Sequence, residues 1–333
     1  MTLDGYLSGG KGYGQVGYGK STPGAADIIS WGSPYDAADS YPSLLIAACN
    51  YAQGAKDWKW ARGNYAPLAA WGRRIFEPDR DGNGLIEYPR DGNFGHRPLA
   101  DSRPANWWDT INFGHEDAYA NALAFRAATQ FAEVARKLGH KDDAEFFAGK
   151  AAKLRSVYLK TFLNPDTGVL AGWRSADGRL HDYWFTFVNG AAITCGLVDD
   201  KDARPILDKL VAKMAQVGYT NFNLGLPGNL VPVPKGDYAF HETPPEVHGV
   251  PRLDDGSDGF QFYENGGATA CFAYFTVKAL YQVGRTAEAR RIFLPMLDGF
   301  AAGDFQGFCD SGMSKDWRDW RGGCHGYEGM LVD

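Results

Sequence analysis

Asp109 stands in the run Asn106-Trp107-Trp108-Asp109-Thr110-Ile111-Asn112-Phe113-Gly114, behind two tryptophans and just ahead of a strongly periodic stretch that opens at Glu116. A carboxylic acid on a loop walled by indole rings is placed to give a proton to a leaving oxygen. Rings that exclude water raise the acid's pKa toward the neutral range in which such a donor works. The plainer alternative is an aspartate that caps a turn. Further aromatic side chains fall in loops: Trp107, Trp108, Trp173, Trp184, Phe260, Phe262, Tyr263, Trp317, Trp320 and Tyr327. The C–H faces of pyranose rings stack on such groups, and sugar hydroxyls need Asp, Asn, Glu or Arg close by. Arg174, Glu264, Asn265 and Asp316 are among the polar neighbours that this set supplies. The other reading of the set is the packing of loops onto the end of a helical domain.

A second constellation is Asp79-Arg80-Asp81-Gly82-Asn83-Gly84-Leu85-Ile86-Glu87. It follows a calcium loop at the first, third, fifth, sixth and eighth positions, whereas Arg90 stands where the bidentate glutamate belongs. Asp79, Asp81, Asn83 and Glu87 are therefore candidate ligands for a structural calcium, against an Asx-turn loop in which Asp and Asn bond their own backbone. The acid chemistry itself requires no cofactor.

Positioning these residues falls to helices that come in pairs. Apolar residues at helical spacing predict helices over 41–53 and 58–76, 116–138 and 141–163, 187–196 and 203–216, and 269–283 and 287–300, with Gly139, Gly218 and Gly284 where C-caps belong. Long loops over 79–114, 219–267 and from 304 onward separate the pairs, and loops of that length tend to be functional. The proline-interrupted run Leu230-Val231-Pro232-Val233-Pro234 is the main strand signal, an edge ribbon at best. An all-α architecture follows. Residues 1–30 form a Gly-rich irregular arm ahead of a domain over 31–333.

Composition narrows the partners. The 333 residues are 44% hydrophobic with a formal net charge of -6, enough for a substantial core, with no basic stripe for nucleic acid. No apolar run reaches the roughly 20 residues of a membrane span, and the start lacks a secretory signal pattern. A cytoplasmic or already processed chain is expected. Cys49, Cys195, Cys271, Cys309 and Cys324 show no CxxC pair; the first three are expected as small core residues, and only Cys309 and Cys324 share a loop.

The segment Trp108-Asp109, then Asp117-Ala118-Tyr119-Ala120-Asn121-Ala122-Leu123-Ala124-Phe125-Arg126, then the Leu138-Gly139 turn resembles the acid-bearing part of glycoside hydrolase family 63 and its trehalase, glucoamylase and rhamnosidase-like relatives. Gly172-Trp173-Arg174, Tyr263-Glu264-Asn265-Gly266-Gly267, Trp317-Arg318-Asp319-Trp320 and Gly326-Tyr327-Glu328-Gly329 also look like motifs of that six-hairpin superfamily. The resemblance implies an (α/α)6 six-hairpin barrel, here incomplete at four hairpins. It implies an inverting glycosidase with two carboxylates about 6.5–9.5 Å apart across a water, and the long loops favour a pocket over an open groove, hence exo action. Asp109 would be the acid, and the base would lie near the C-terminus: Asp316 leads, with Glu328 and Glu264 as rivals. Trp107, Trp108, Trp173, Arg174, Tyr263, Glu264, Asn265, Trp317, Trp320 and Tyr327 would bind the glycoside or oligosaccharide. Two other readings stand beside it. His181, His241, His248 and His325 lie in loops, as an epimerase or isomerase on the same scaffold would use them, and a cleft without a second carboxylate would make a carbohydrate-binding protein. A partial barrel exposes apolar helix faces, which a homo-oligomer would cover.

Overall fold

The computed structural model describes residues 38–88, 105–106, 111–237, 260–261 and 264–303, together with Leu3, Leu7 and Trp320. The chain forms two compact units, Met1–Trp107 with Phe113–Thr161, and Trp108–Asn112 with Phe162–Asp333.

In the first unit α1 (Ser40–Gly54), α2 (Trp58–Gly63) and α3 (Tyr65–Ile75) are followed by β1 (Glu116–Asp117), α4 (Ala118–Leu138) and α5 (Lys141–Phe162). The single helix expected over 58–76 is broken at Gly63-Asn64, where the Asn64 amide closes α2 on the Trp60 carbonyl and Tyr65 starts α3. Asp57 caps α2 through the Trp60 amide. Asp117 caps α4 by accepting from the Tyr119 amide at 2.7 Å and the Ala120 amide at 3.1 Å. Gly139 ends α4 at a φ of 92°, a left-handed cap open to glycine at no steric cost. Helix α4 is buried over nearly its whole circumference. Its partner α5 buries one stripe, Ala144, Phe147, Ala151, Leu154, Tyr158 and Phe162, at the spacing of an amphipathic helix. Phe131 of α4 meets Phe147 of α5 edge-on at 5.0 Å.

In the second unit β2 (Trp173–Arg174) pairs antiparallel with β3 (Leu180–His181), Trp173 opposite His181. Helices α6 (Thr186–Thr194) and α7 (Asp200–Gln216) follow, then β4 (Leu226–Pro227), a 3-10 turn over Lys235–Asp237, β5 (Ala268–Thr269), α8 (Ala270–Gln282) and α9 (Thr286–Ala302). Helix α7 starts three residues before its apolar pattern does. Asp200 and Asp202 in its first turn add nothing to the stripe yet suit the positive end of a helix dipole. Strands β4 and β5 pair antiparallel, Leu226 with Thr269. The run at 230–234 is not a ribbon: Leu230 donates to the Tyr183 carbonyl, and the Val233 amide donates to Asn265 Oδ1. Helix α6 lies tight against α8, since a Cβ at Gly190 would sit 2.6 Å from the Phe275 carbonyl carbon and the Thr276 nitrogen.

One device recurs in both units. On α4, Asn121 accepts from the Ile86 amide at 2.8 Å and donates to the Ile86 carbonyl at 3.1 Å, and it donates back to the Asp117 carbonyl. On α6, Asn189 does the same with Leu170, at 2.8 and 3.2 Å, and donates back to the Phe185 carbonyl. Each asparagine is the fourth residue of its helix and clamps the loop that runs beside it. The fold is all-α, and the described residues hold four helical pairs. Cys49 and Cys195 are buried thiols, with Cys49 pushed up to about 12 by burial and then by Glu133. Cys271 lies in α8, and Cys309 and Cys324 fall outside the described residues. Among the described residues no helix is long and apolar enough to cross a membrane.

Candidate functional site

Asp109, Asp316 and Glu328 lie outside the described residues, as do Trp107, Trp108, Tyr263, Trp317 and Tyr327. Residues that flank Asp109 in sequence are described, and they are buried: Ala105 and Asn106 on one side, Ile111, Asn112 and Phe113 on the other. The Ala105 amide donates to the Phe113 carbonyl at 3.0 Å, and the Ala105 carbonyl accepts from Ala38 at 2.7 Å. Asn106 Nδ2 donates to Asp117 Oδ2 at 2.7 Å. The Asn112 amide donates to the Asp237 carbonyl at 2.9 Å.

Asp117 shows what a buried carboxyl in this neighbourhood experiences. Burial pushes it up to about 7, against the Ala120 amide, Asn106 and the Tyr119 amide, which pull it down. An acid of that pKa is the kind a proton donor needs. Yet its two oxygens are taken up by two helix amides and Asn106, so its geometry is that of a helix cap.

The described members of the expected sugar-binding set go mostly to packing. Trp173 is fully buried, and its ring is stacked on His181 at 4.6 Å with 5° between the planes. One face of the ring is therefore covered by His181. Trp320 is nearly buried too, edge-on to Tyr219 and Phe260, both at 5.2 Å, and its carbonyl accepts from Ala268. Asn265, fully buried, accepts from Asn229 Nδ2 and the Val233 amide and donates to the Val233 carbonyl. These bonds fasten the 229–233 segment. Glu264 is buried beside it. Arg174 is half-buried on β2.

The Asp79–Glu87 loop is closed on its own backbone. Asn83 donates its amide to Asp81 Oδ1, and its side chain donates to Asp81 Oδ2 and Glu116 Oε1. Gly84 donates to Asp79 Oδ1, and Leu85 to Asn83 Oδ1. Burial raises the Glu87 carboxyl, and the neighbouring Asp81 and Glu116 charges add to the rise. Among the described residues no group of three or more His, Cys, Asp or Glu side chains is arranged to hold a metal. The bonds of Asp79, Asp81 and Asn83 to nearby backbone amides are those of an Asx-turn loop.

A polar cluster around His181 was hidden in the sequence. His181 Nδ1 lies 2.5 Å from Asp237 Oδ2 and Nε2 lies 2.9 Å from Ser175 Oγ. The Tyr183 hydroxyl donates to the same Asp237 oxygen. Burial, then the Asp237 carboxylate, pushes the Tyr183 phenol far up. Nearby, Asp182 accepts from Asn164 Nδ2, Thr167 Oγ1 and the Trp184 amide, and burial raises its carboxyl. It supports Trp184 in the left-handed region at a φ of 58°, a conformation that costs a bulky residue about 1–2 kcal/mol. His181 stands out in sequence ahead of α6, but nothing in sequence links it to Asp237.

Comparison with known proteins adds the family. The model of the bacterial alpha-L-rhamnosidase 6 hairpin glycosidase domain matches residues 34–228. The GH63 mannosylglycerate hydrolase from Thermus thermophilus in complex with Tris is similar in fold at a TM-score of 0.58 and 15% identity, over 92% of this chain and 81% of that one. A rhamnosidase from Klebsiella oxytoca with rhamnose bound is similar at a TM-score of 0.50 and 13% identity, over 80% of this chain and 40% of that one. The chain thus spans less than half the length of that rhamnosidase. No curated protein matches the chain.

Proposed function

The chain belongs to the bacterial α-L-rhamnosidase six-hairpin glycosidase family, and from that premise we propose that it is an exo-acting, inverting glycosidase that removes a terminal sugar from an oligosaccharide or glycoside. The observation that carries this reading is the family match over residues 34–228, which takes in Asp109, the loop roots that hold it and the helix that follows. α-L-Rhamnosides are the first substrates to try, because they are what the family's description names. Asp109 protonates the glycosidic oxygen. A second carboxylate activates water on the opposite face of the sugar, and an inverting site holds the pair about 6.5–9.5 Å apart. Asp316 is the leading base, with Glu328 and Glu264 as rivals. Long loops ahead of the buried helices favour a pocket for chain ends over an open groove.

The test is hydrolysis of aryl α-L-rhamnoside, alongside aryl α- and β-glycosides of other sugars, by the wild type and Asp109→Asn, with NMR of the first anomer released. Expected are turnover by the wild type, a loss of at least about 100-fold in Asp109→Asn, and product of inverted configuration. Release of the retained anomer would sink the inverting mechanism, and binding of sugars without turnover on any glycoside would move the chain to the carbohydrate-binding reading. A second copy of the chain is the proposed partner for the apolar side chains left exposed on α8 and α9.

A further inference from the structure

We propose that His181, acting through Asp237, is a positioning residue for the acid: it fixes the peptide that roots the Asp109 loop. The inference rests on the reading of Asp109 as the acid. The cluster is buried, with the His181 side chain 3% exposed and that of Asp237 12%. The order Ser175, His181, Asp237 has the outline of a nucleophile relay, but Ser175 Oγ is also engaged by Asp177 and the Arg179 carbonyl, as in a brace. Ser175 Oγ donates to Asp177 Oδ1 at 2.5 Å, a bond that holds the Asp177 carboxyl below its usual range. His181 Nδ1 is hydrogen-bonded with Asp237 Oδ2 at 2.5 Å and Nε2 with Ser175 Oγ at 2.9 Å. The imidazole is thus a two-ended strut, clamped flat against Trp173, with its far end on a carboxylate that Tyr183 also grips.

Asp237 passes this fixation on through its backbone. Its amide donates to the Pro234 carbonyl, closing the 3-10 turn, and its carbonyl accepts from the Asn112 amide at 2.9 Å. Asn112 is three residues beyond Asp109 in the chain. A shift of the Asp237 carbonyl moves the root of the acid's loop. Displacing a reacting group by about 1 Å can cost on the order of 100-fold in rate.

Three variants, His181→Ala, His181→Gln and Tyr183→Phe, are compared with the wild type and Asp109→Asn on the best aryl glycoside, together with residue-resolved hydrogen exchange at the Asn112 amide. His181→Ala is expected to lower kcat by about 10- to 100-fold while KM moves less than about threefold, and to speed exchange at Asn112. His181→Gln keeps one donor end and should recover part of both. Tyr183→Phe removes one bond and little volume, so it should fold even if His181→Ala does not, and should show a smaller loss of the same kind. Unchanged kcat and unchanged exchange at Asn112 in the folded variants would overturn the inference and leave the acid reading intact. Wild-type turnover in Asp109→Asn would overturn the acid reading, and this inference with it, whatever the Asn112 amide does.

Discussion

Asp117 carries a pH dependence that can be worked out from its surroundings. In the fold burial raises it to about 7, from 3.8 in the open chain. Between those values the native state binds more protons than the unfolded state, so the contribution of this group to stability falls as pH rises from about 4 to about 7 and is level above that. The slope is at most about 1.4 kcal/mol per pH unit. Asp117→Asn has no proton to lose there. Its unfolding free energy, measured by urea titration at several pH values across that window, should therefore gain on the wild type as pH rises. The opposite trend would mean that the helix amides and Asn106 hold Asp117 as a carboxylate. Asp117→Ala should cost about 0.5–2 kcal/mol as a lost cap, and it would also release Asn106 at the root of the acid's loop.

The elements that carry these residues are set by clamps as much as by apolar stripes. Asn121 and Asn189 each hold both hydrogen-bonding groups of a buried loop residue, Ile86 and Leu170. Removing either side chain strands two backbone groups away from water, at about 1–3 kcal/mol each. Asn121→Ala and Asn189→Ala should lose similar amounts, on the order of 2–5 kcal/mol, in denaturant unfolding; a loss below about 1 kcal/mol in either would mean that water enters and replaces the clamp. Gly190→Ala acts differently. Its methyl would meet the backbone of α8 rather than a side chain that can turn away, so α6 and α8 must separate, at about 1–3 kcal/mol or more. All four helical pairs were legible in sequence because one face of each helix must be apolar at a period of 3.6, and Ala144 through Phe162 obey that rule without exception. The loops were not, because their shapes come from partners far along the chain. Asn265 fastens Val233 and Asp237 holds Asn112, and no local propensity announces either bond. Nor does sequence announce that Trp173 meets His181 and Trp320 meets Tyr219, because a loop aromatic looks alike whatever packs against it.

Across the whole molecule, helix α9 departs from the pattern of a surface helix. One face buries Ala289, Ile292, Met296 and Gly299, as its core stripe should. A second stripe, Leu294, Leu297 and Phe300, repeats at intervals of three and remains 43%, 42% and 39% exposed, with Tyr281 of α8 at 42%. Two apolar stripes on one helix leave one facing water, which favours association. The magnitude is bounded by size. A stable protein–protein contact covers about 800 Å² on each partner, and four half-exposed side chains supply only part of that, so association through them alone should be micromolar or weaker. Sedimentation velocity should show the wild type drifting from monomer toward dimer as concentration rises. Leu297→Glu combined with Phe300→Glu should hold it monomeric with stability changed by less than about 1 kcal/mol, as is usual for exposed positions. A wild type that stays monomeric at every concentration would mean that this face has some other partner or none, whereas a dimer that survives the double substitution would place the contact elsewhere on the surface.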